Sequence, residues 1–124
     1  EGLFKLCESI EEVNVPDSVV KIGSEAFGMT NIRTINIPQG ITAINTQAFS
    51  GCESLKAISI PDSVVYIDDY AFSGCRSLIS ISIPDSVTSI GNGAFFACSS
   101  LANIDLPDGL TFIGEDIRVK KGKV

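Results

Sequence analysis

The sequence predicts a β-dominated α/β solenoid, wound in right-handed coils of about 23 residues, with a parallel sheet on one face and short strands, turns or short helical segments on the return. Three observations carry that expectation. All five prolines, Pro16, Pro38, Pro61, Pro84 and Pro107, are separated by steps of 22, 23, 23 and 23 residues. Each is preceded by the same spaced apolar triplet: Ile10, Val13, Val15; Ile32, Ile35, Ile37; Leu55, Ile58, Ile60; Leu78, Ile81, Ile83; Leu101, Ile104, Leu106. Behind each proline, two further aliphatic columns recur at fixed offsets, and in most coils an Ala-Phe pair follows them.

The triplet has the LxxLxL spacing of a leucine-rich repeat, whose period runs from roughly 20 to 29 residues. Leu55, Ile58 and Ile60 can face inward together if residues 57–60 form a short strand and Leu55 enters from the preceding turn. Pro61 then ends the strand, because proline offers no N–H to a ladder. Strands repeated at this period must run parallel, and their crossovers are nearly always right-handed. Residues 1–124 are expected to form one such solenoid: a partial coil at 1–15, coils at 16–37, 38–60, 61–83 and 84–106, and a partial coil or cap at 107–124.

On the return, Val19, Ile41, Val64, Val87 and Leu110 make one inward column, and Ile22, Ile44, Ile67, Ile90 and Ile113 a second. The residues directly after the second column, Gly23, Asn45, Asp68, Gly91 and Gly114, are types that tolerate positive φ, so a tight turn is expected there. Ala26, Ala48, Ala71 and Ala94 follow, each beside Phe27, Phe49, Phe72 or Phe95: a small residue for close backbone approach next to a stacked aromatic spine. The coil containing Met29 is one residue short. The last coil has Ile117-Arg118 where Ala-Phe is expected, which points to an end or cap.

The four cysteines occupy one repeat position: Cys7 in the partial coil, then Cys52, Cys75 and Cys98, with Met29 reading as the substitute in the short coil. Neighbouring coils would bring these side chains to about 4.8 Å. Their Cβ vectors would run parallel, which does not suit a disulfide. The chain has no His and no CxxC, so a metal centre is disfavoured. A buried column of free thiols is the favoured reading, and it leaves the redox compartment open.

Hydrophobic residues make up 44% and charged residues 19%, and no run approaches the roughly 18 apolar residues of a membrane span. The net charge of −6 argues against a nucleic-acid partner, which asks for a basic stripe. Arg118, Lys120, Lys121 and Lys123 form one basic cluster, read as a solvated tail. The chain starts at Glu1 with neither an initiator Met nor an apolar leader, which suggests a mature product or a piece of a longer array. Without His, the usual general base of Ser or Cys nucleophilic schemes is missing. Gly91-Asn92-Gly93 and Gly109 to Gly114 resemble nucleotide loops, but Phe96 and Glu115 stand where the third Gly and the Lys belong. Neither catalysis nor a cofactor is expected. Asp17, Asp62, Asp85 and Asp108 follow their prolines in a column broken by Gln39, and each can bond its own turn without a cation.

Two surfaces are candidates for binding. The outward positions of the strand face are small and polar, among them Asn36, Ser59, Ser82, Asn103 and Asp105. That face is either a contact surface or simply solvated sheet, and its lack of aromatic anchors favours the second. The return side carries Tyr66 and Phe112 at one repeat position two coils apart, with Tyr70 and Phe96 on the neighbouring bend. This aromatic group can serve a partner or pack against a flanking coil or domain.

The unit Ile60-Pro61-Asp62-Ser63-Val64 through Ala71-Phe72, Cys75, Leu78, Ile81 and Ile83 closely resembles the BspA-like, or treponemal-type, leucine-rich repeats, over roughly residues 4–114. That resemblance, and not the spacing, implies a secreted or cell-surface location and a role in adhesion to host matrix protein or another cell. A passive spacer section of a longer array, or self-association through exposed solenoid ends, remains the alternative.

Overall fold

A computed structural model of the chain describes residues 12–101, 103–115 and 120–121. The described residues wind into about four coils of parallel strands and turns, with no helix among them. The return half is therefore made of short strands and turns, without the helical segments that were one of the options.

Ten short strands build two faces. The first holds β1 (Glu12–Asn14), β2 (Thr34–Asn36), β4 (Ala57–Ser59), β6 (Ser80–Ser82), β8 (Asn103–Ile104) and β10 (Lys120–Lys121). The return holds β3 (Ala43–Ile44), β5 (Tyr66–Ile67), β7 (Ser89–Ile90) and β9 (Phe112–Ile113), joined in that order as one four-stranded parallel sheet. On the first face, β1 pairs with β2 and β4 with β6, both parallel, with Val13 opposite Ile35 and Ile58 opposite Ile81. Period-two alternation drives these strands: Ile35 and Ile58 point into the core while their neighbours face solvent.

Each proline closes its strand and opens the next turn. Lacking an N–H, it still accepts, and the carbonyls of Pro16, Pro38, Pro61, Pro84 and Pro107 take the amides of Val19, Ile41, Val64, Val87 and Leu110 at 3.0–3.3 Å. The two aliphatic columns and the Ala-Phe pairs of the described coils then form one core, in which Ile41, Ile44, Ala48, Phe49, Val64, Ala71, Phe72, Val87, Ile90, Ala94 and Phe95 are completely buried. Phe27, Phe49, Phe72 and Phe95 stack as expected, with centroids 5.3–5.6 Å apart and ring planes within 8° of parallel. Backbone bonds beside the spine, Phe27 N to Ala48 O (2.9 Å), Phe49 N to Ala71 O (2.8 Å) and Phe72 N to Ala94 O (2.8 Å), hold the coils at this spacing.

Three local expectations are corrected. Positive φ is not found at Gly23, Asn45, Asp68, Gly91 or Gly114 but two residues later, at Glu25 (62°), Gln47 (57°), Tyr70 (57°) and Gly93 (63°). The chain reverses only after it has left the return strand, so the left-handed residue falls at the bend itself. Gly91 and Gly114 serve a different need. A Cβ on Gly91 would lie 2.7 Å from Asp69 N, and one on Gly114 2.5 Å from Asn92 N, because the backbone of the preceding coil runs directly beneath them.

The second correction concerns the short coil. Met29 does not occupy the thiol column: it is 57% exposed with a φ of 60°, and it belongs with the left-handed Gly51 (76°), Gly74 (78°) and Ala97 (62°). Thr30, only 1% exposed, takes the place of the cysteine. The missing residue lies after Thr30, between it and Ile32, which displaced the sequence alignment by one position.

Third, Lys120 and Lys121 form β10 and pair in parallel with Asn103 and Ile104, so that part of the basic cluster is backbone-paired strand and not a free tail. Cys7 and the Ile117-Arg118 departure lie outside the described residues.

Candidate binding surfaces

The core gives the cysteines a purely internal role. Cys52, Cys75 and Cys98 are buried free thiols. Each S–H donates to a phenylalanine carbonyl of the preceding coil: Phe27 at 3.0 Å, Phe49 at 3.2 Å and Phe72 at 3.1 Å. Thr30 continues the column with oxygen, its hydroxyl donating to Phe27 O at 2.9 Å beside the Cys52 sulfur. Burial pushes the Cys52 thiol above its ordinary range. Contact with the Cys98 thiol, reinforced by burial, pushes Cys75 well above it. A thiol held protonated and out of solvent is a poor nucleophile.

Cys52 and Cys75 make stability depend on pH in one direction, while Cys98, whose thiol is held below its ordinary range by contact with Cys75, offsets part of the effect. The folded state keeps protons on Cys52 and Cys75 that the unfolded chain releases above about pH 8.5, so stability falls as pH rises beyond that point. The urea midpoint is expected to drop as the pH rises above that value. The drop should shrink in a Cys52→Ser, Cys75→Ser double variant, whose hydroxyls keep the carbonyl bonds without titrating. An equal drop in both proteins would sink this account.

On the first strand face the outward side chains are small and polar. Asn36 Nδ2 donates to Asn14 Oδ1 at 3.2 Å, and Ser59 lies opposite Ser82 across β4 and β6. Ser82 and Asp105 line a shallow open depression of about 390 Å³ together with Ser80. Asn103 sits in β8, in register with Lys120. Asn36, Ser59, Ser82 and Asp105 thus bring amide, hydroxyl and carboxylate groups to this face, and Ile81 and Ile83 also line the depression.

Across the core, the return sheet places Tyr66, Ser89 and Phe112 side by side in register. Tyr66 is 42% exposed and Phe112 54%. Two ladder steps separate them, about 10 Å, with the Ser89 hydroxyl between. Tyr70 and Phe96 lie apart from this row on the bend. Tyr70 holds the left-handed conformation at 57°, and its ring covers Gly93, where a Cβ would lie 2.6 Å from Cδ1. Phe96 is exposed, and its carbonyl accepts from Gly74 N at 2.7 Å. The structure thus unites Tyr66 with Phe112 and gives Tyr70 a packing duty of its own.

Sequence reading missed the exposed Val20, Val65 and Ile79. The doublets Val19-Val20, Val64-Val65 and Leu78-Ile79 carry the signal, since an extended chain that sends one side chain inward sends its neighbour out. Val65, which precedes Tyr66 in the chain, is 44% exposed. Among the described residues, no group of three or more His, Cys, Asp or Glu side chains could hold a metal ion, and no helix is long and apolar enough to cross a membrane.

Parallel ladders at a 23-residue step, the proline turns and the stacked phenylalanines together define a leucine-rich-repeat solenoid. The chain belongs to the BspA-type leucine-rich-repeat family, whose model, "BspA type Leucine rich repeat region", matches residues 1–118 in 6 copies. Among solved structures it is similar to a leucine-rich repeat protein of T. pallidum at 31% identity and a TM-score of 0.80, covering 83% of this chain and 51% of that one. It is also similar to a leucine-rich cell surface protein of Faecalibacterium prausnitzii, at 43% identity and a TM-score of 0.77, covering 79% of this chain and 26% of that one. A third likeness is the pneumococcal vaccine antigen PcpA, at 27% identity and a TM-score of 0.78, covering 90% and 28%. The chain therefore spans about half of the first of these proteins and about a quarter of the others. Among curated proteins, none matches it by sequence.

Proposed function

We propose that this solenoid is a non-catalytic protein-binding or adhesion module of a secreted or cell-surface protein, contacting host matrix protein or another cell through its return face. The observation that carries this reading is the Tyr66, Ser89, Phe112 row: two exposed aromatics held in register by a rigid ladder, with the exposed Val65 preceding Tyr66 in the chain. Aromatic side chains on a fixed frame give large contact area at low entropic cost, which is why they dominate tight protein interfaces. Similarity to a protein described as a leucine-rich cell surface protein supports the location. The strip containing Asn36, Ser59, Ser82, Asn103 and Asp105 would provide weaker, wetter contacts, and Tyr70 and Phe96 would extend the aromatic surface around the bend.

A passive spacer role is the second reading, favoured by the fraction of the longer solved proteins that the chain covers. Solid-phase binding to matrix proteins and to whole bacteria separates the two. Saturable binding that weakens roughly 30-fold on Tyr66→Ala or Phe112→Ala, the loss expected for a hot-spot side chain, supports the adhesive reading. No binding by this chain where a longer parent protein binds supports the spacer. Concentration-dependent light scattering without any ligand would instead indicate self-association.

A further inference from the structure

We infer that Asn92-Gly93 is a spontaneous deamidation site whose rate is set by the docking of the following coil through Glu115. Asn92 is the one asparagine followed by glycine; Asn14, Asn31, Asn36, Asn45 and Asn103 are followed by Val, Ile or Thr, whose branched side chains hinder the reaction. In an open chain an Asn-Gly pair cyclises readily, because nothing blocks the approach of the glycine nitrogen.

The pair arises from separate structural demands. Glycine at 93 meets both the left-handed bend, at a φ of 63°, and the Tyr70 ring that would strike a Cβ. Asn92 is needed as a cap. Asp69 Oδ1 accepts from Asn92 N at 2.8 Å, and one coil later Asn92 Oδ1 accepts from Glu115 N at 2.8 Å. The liability is thus a by-product of building the bend.

The reaction requires Gly93 N to lose its proton and attack the Asn92 side-chain carbon Cγ. The N–Cγ bond forms, the Cγ–Nδ2 bond breaks, and ammonia leaves carrying the displaced proton. Water then opens the cyclic imide at Cγ to give Asp, or at the main-chain carbonyl to give isoaspartate. No oxidant or reductant takes part. In the folded coil both partners are held by one residue: Gly93 N–H donates to Glu115 O at 2.7 Å, and Asn92 Oδ1 is fixed on Glu115 N. Attack must wait until this clamp opens.

The products differ in their consequences. Asp at 92 keeps an acceptor for Glu115 N but adds charge between Asp69 and Glu115. Isoaspartate lengthens the main chain between β7 and Phe95, and so shifts Phe95 out of register with Phe72. Undocking of the coil would then be recorded irreversibly.

The test follows the mass gain at the Asn92 peptide of the full chain in mildly alkaline buffer, with the other asparagines as internal references. The folded protein is expected to react at least tenfold more slowly than the same protein in concentrated urea, an opening free energy of about 1.4 kcal/mol or more. Gly114→Ala, whose Cβ would lie 2.5 Å from both Asn92 N and Oδ1, should raise the rate in buffer toward the urea value. Should that variant not fold, Glu115→Pro, which keeps the carbonyl that binds Gly93 N but removes the N–H that holds Asn92 Oδ1 and fixes φ there, should act the same way. Equal rates in buffer and urea, or an unchanged rate in a folded Gly114→Ala or Glu115→Pro protein, overturn the inference.

Discussion

Replacing Phe72 with Ala is expected to lower stability by about 3 to 5 kcal/mol, visible as a large fall in the urea midpoint with little change in slope. The ring is fully buried and stacks on Phe49 at 5.3 Å and on Phe95 at 5.6 Å, nearly parallel to both. Its removal forfeits two stacking partners as well as the transfer energy. The cavity also cannot collapse, because Phe49 N to Ala71 O and Phe72 N to Ala94 O fix the distance between coils on either side. Phe112→Ala provides the contrast. That ring is half exposed, so its loss should stay within about 0.5 kcal/mol, the range of ordinary surface changes. Similar losses for Phe72 and Phe112 would mean that the stack contributes little.

Enlarging the small residue beside the spine should be nearly as damaging. Ala71→Leu is expected to destabilise by about 3 kcal/mol, at the upper end for overpacking of a close-packed core. Ala48, Ala71 and Ala94 are all fully buried, so a leucine side chain meets equivalent positions in the coils above and below. Making room means stretching the same 2.8 Å backbone bonds that hold the Phe column. The Ala-Phe pair therefore works as a unit: alanine sets how closely the coils approach, and that approach sets the stacking distance. A normal urea midpoint for Ala71→Leu would show that the bend has slack which these bonds do not indicate.

Family membership and architecture were legible from the repeat because a solenoid turns sequence period into spatial stacking: residues 23 apart become neighbours one ladder step away. Every inward column described in the structure, from Val64 and Ile67 to Phe72 and Cys75, was already visible as a recurring residue type. Column identity does not reveal backbone conformation or local slippage. Asn45 and Asp68 looked like the left-handed residues, yet Gln47 and Tyr70, which no propensity favours there, hold that conformation because neighbouring coils impose it. Met29 and Thr30 were interchanged because a one-residue deletion can be placed on either side of them in the sequence, and only the burial of Thr30 against Cys52 resolves it.

The candidate surface divides along the same line. That Tyr66 and Phe112 share a repeat position follows from counting, and their common ladder was foreseeable. That Tyr70 spends its ring covering Gly93, that Glu115 grips Asn92 and Gly93 together, and that Lys120 and Lys121 join the strand face all depend on contacts between coils. Periodicity specifies which residues stack and which way most of them face. How closely one coil's backbone approaches the next is set by the sum of packing and hydrogen bonds across the whole stack, and no single repeat contains that sum.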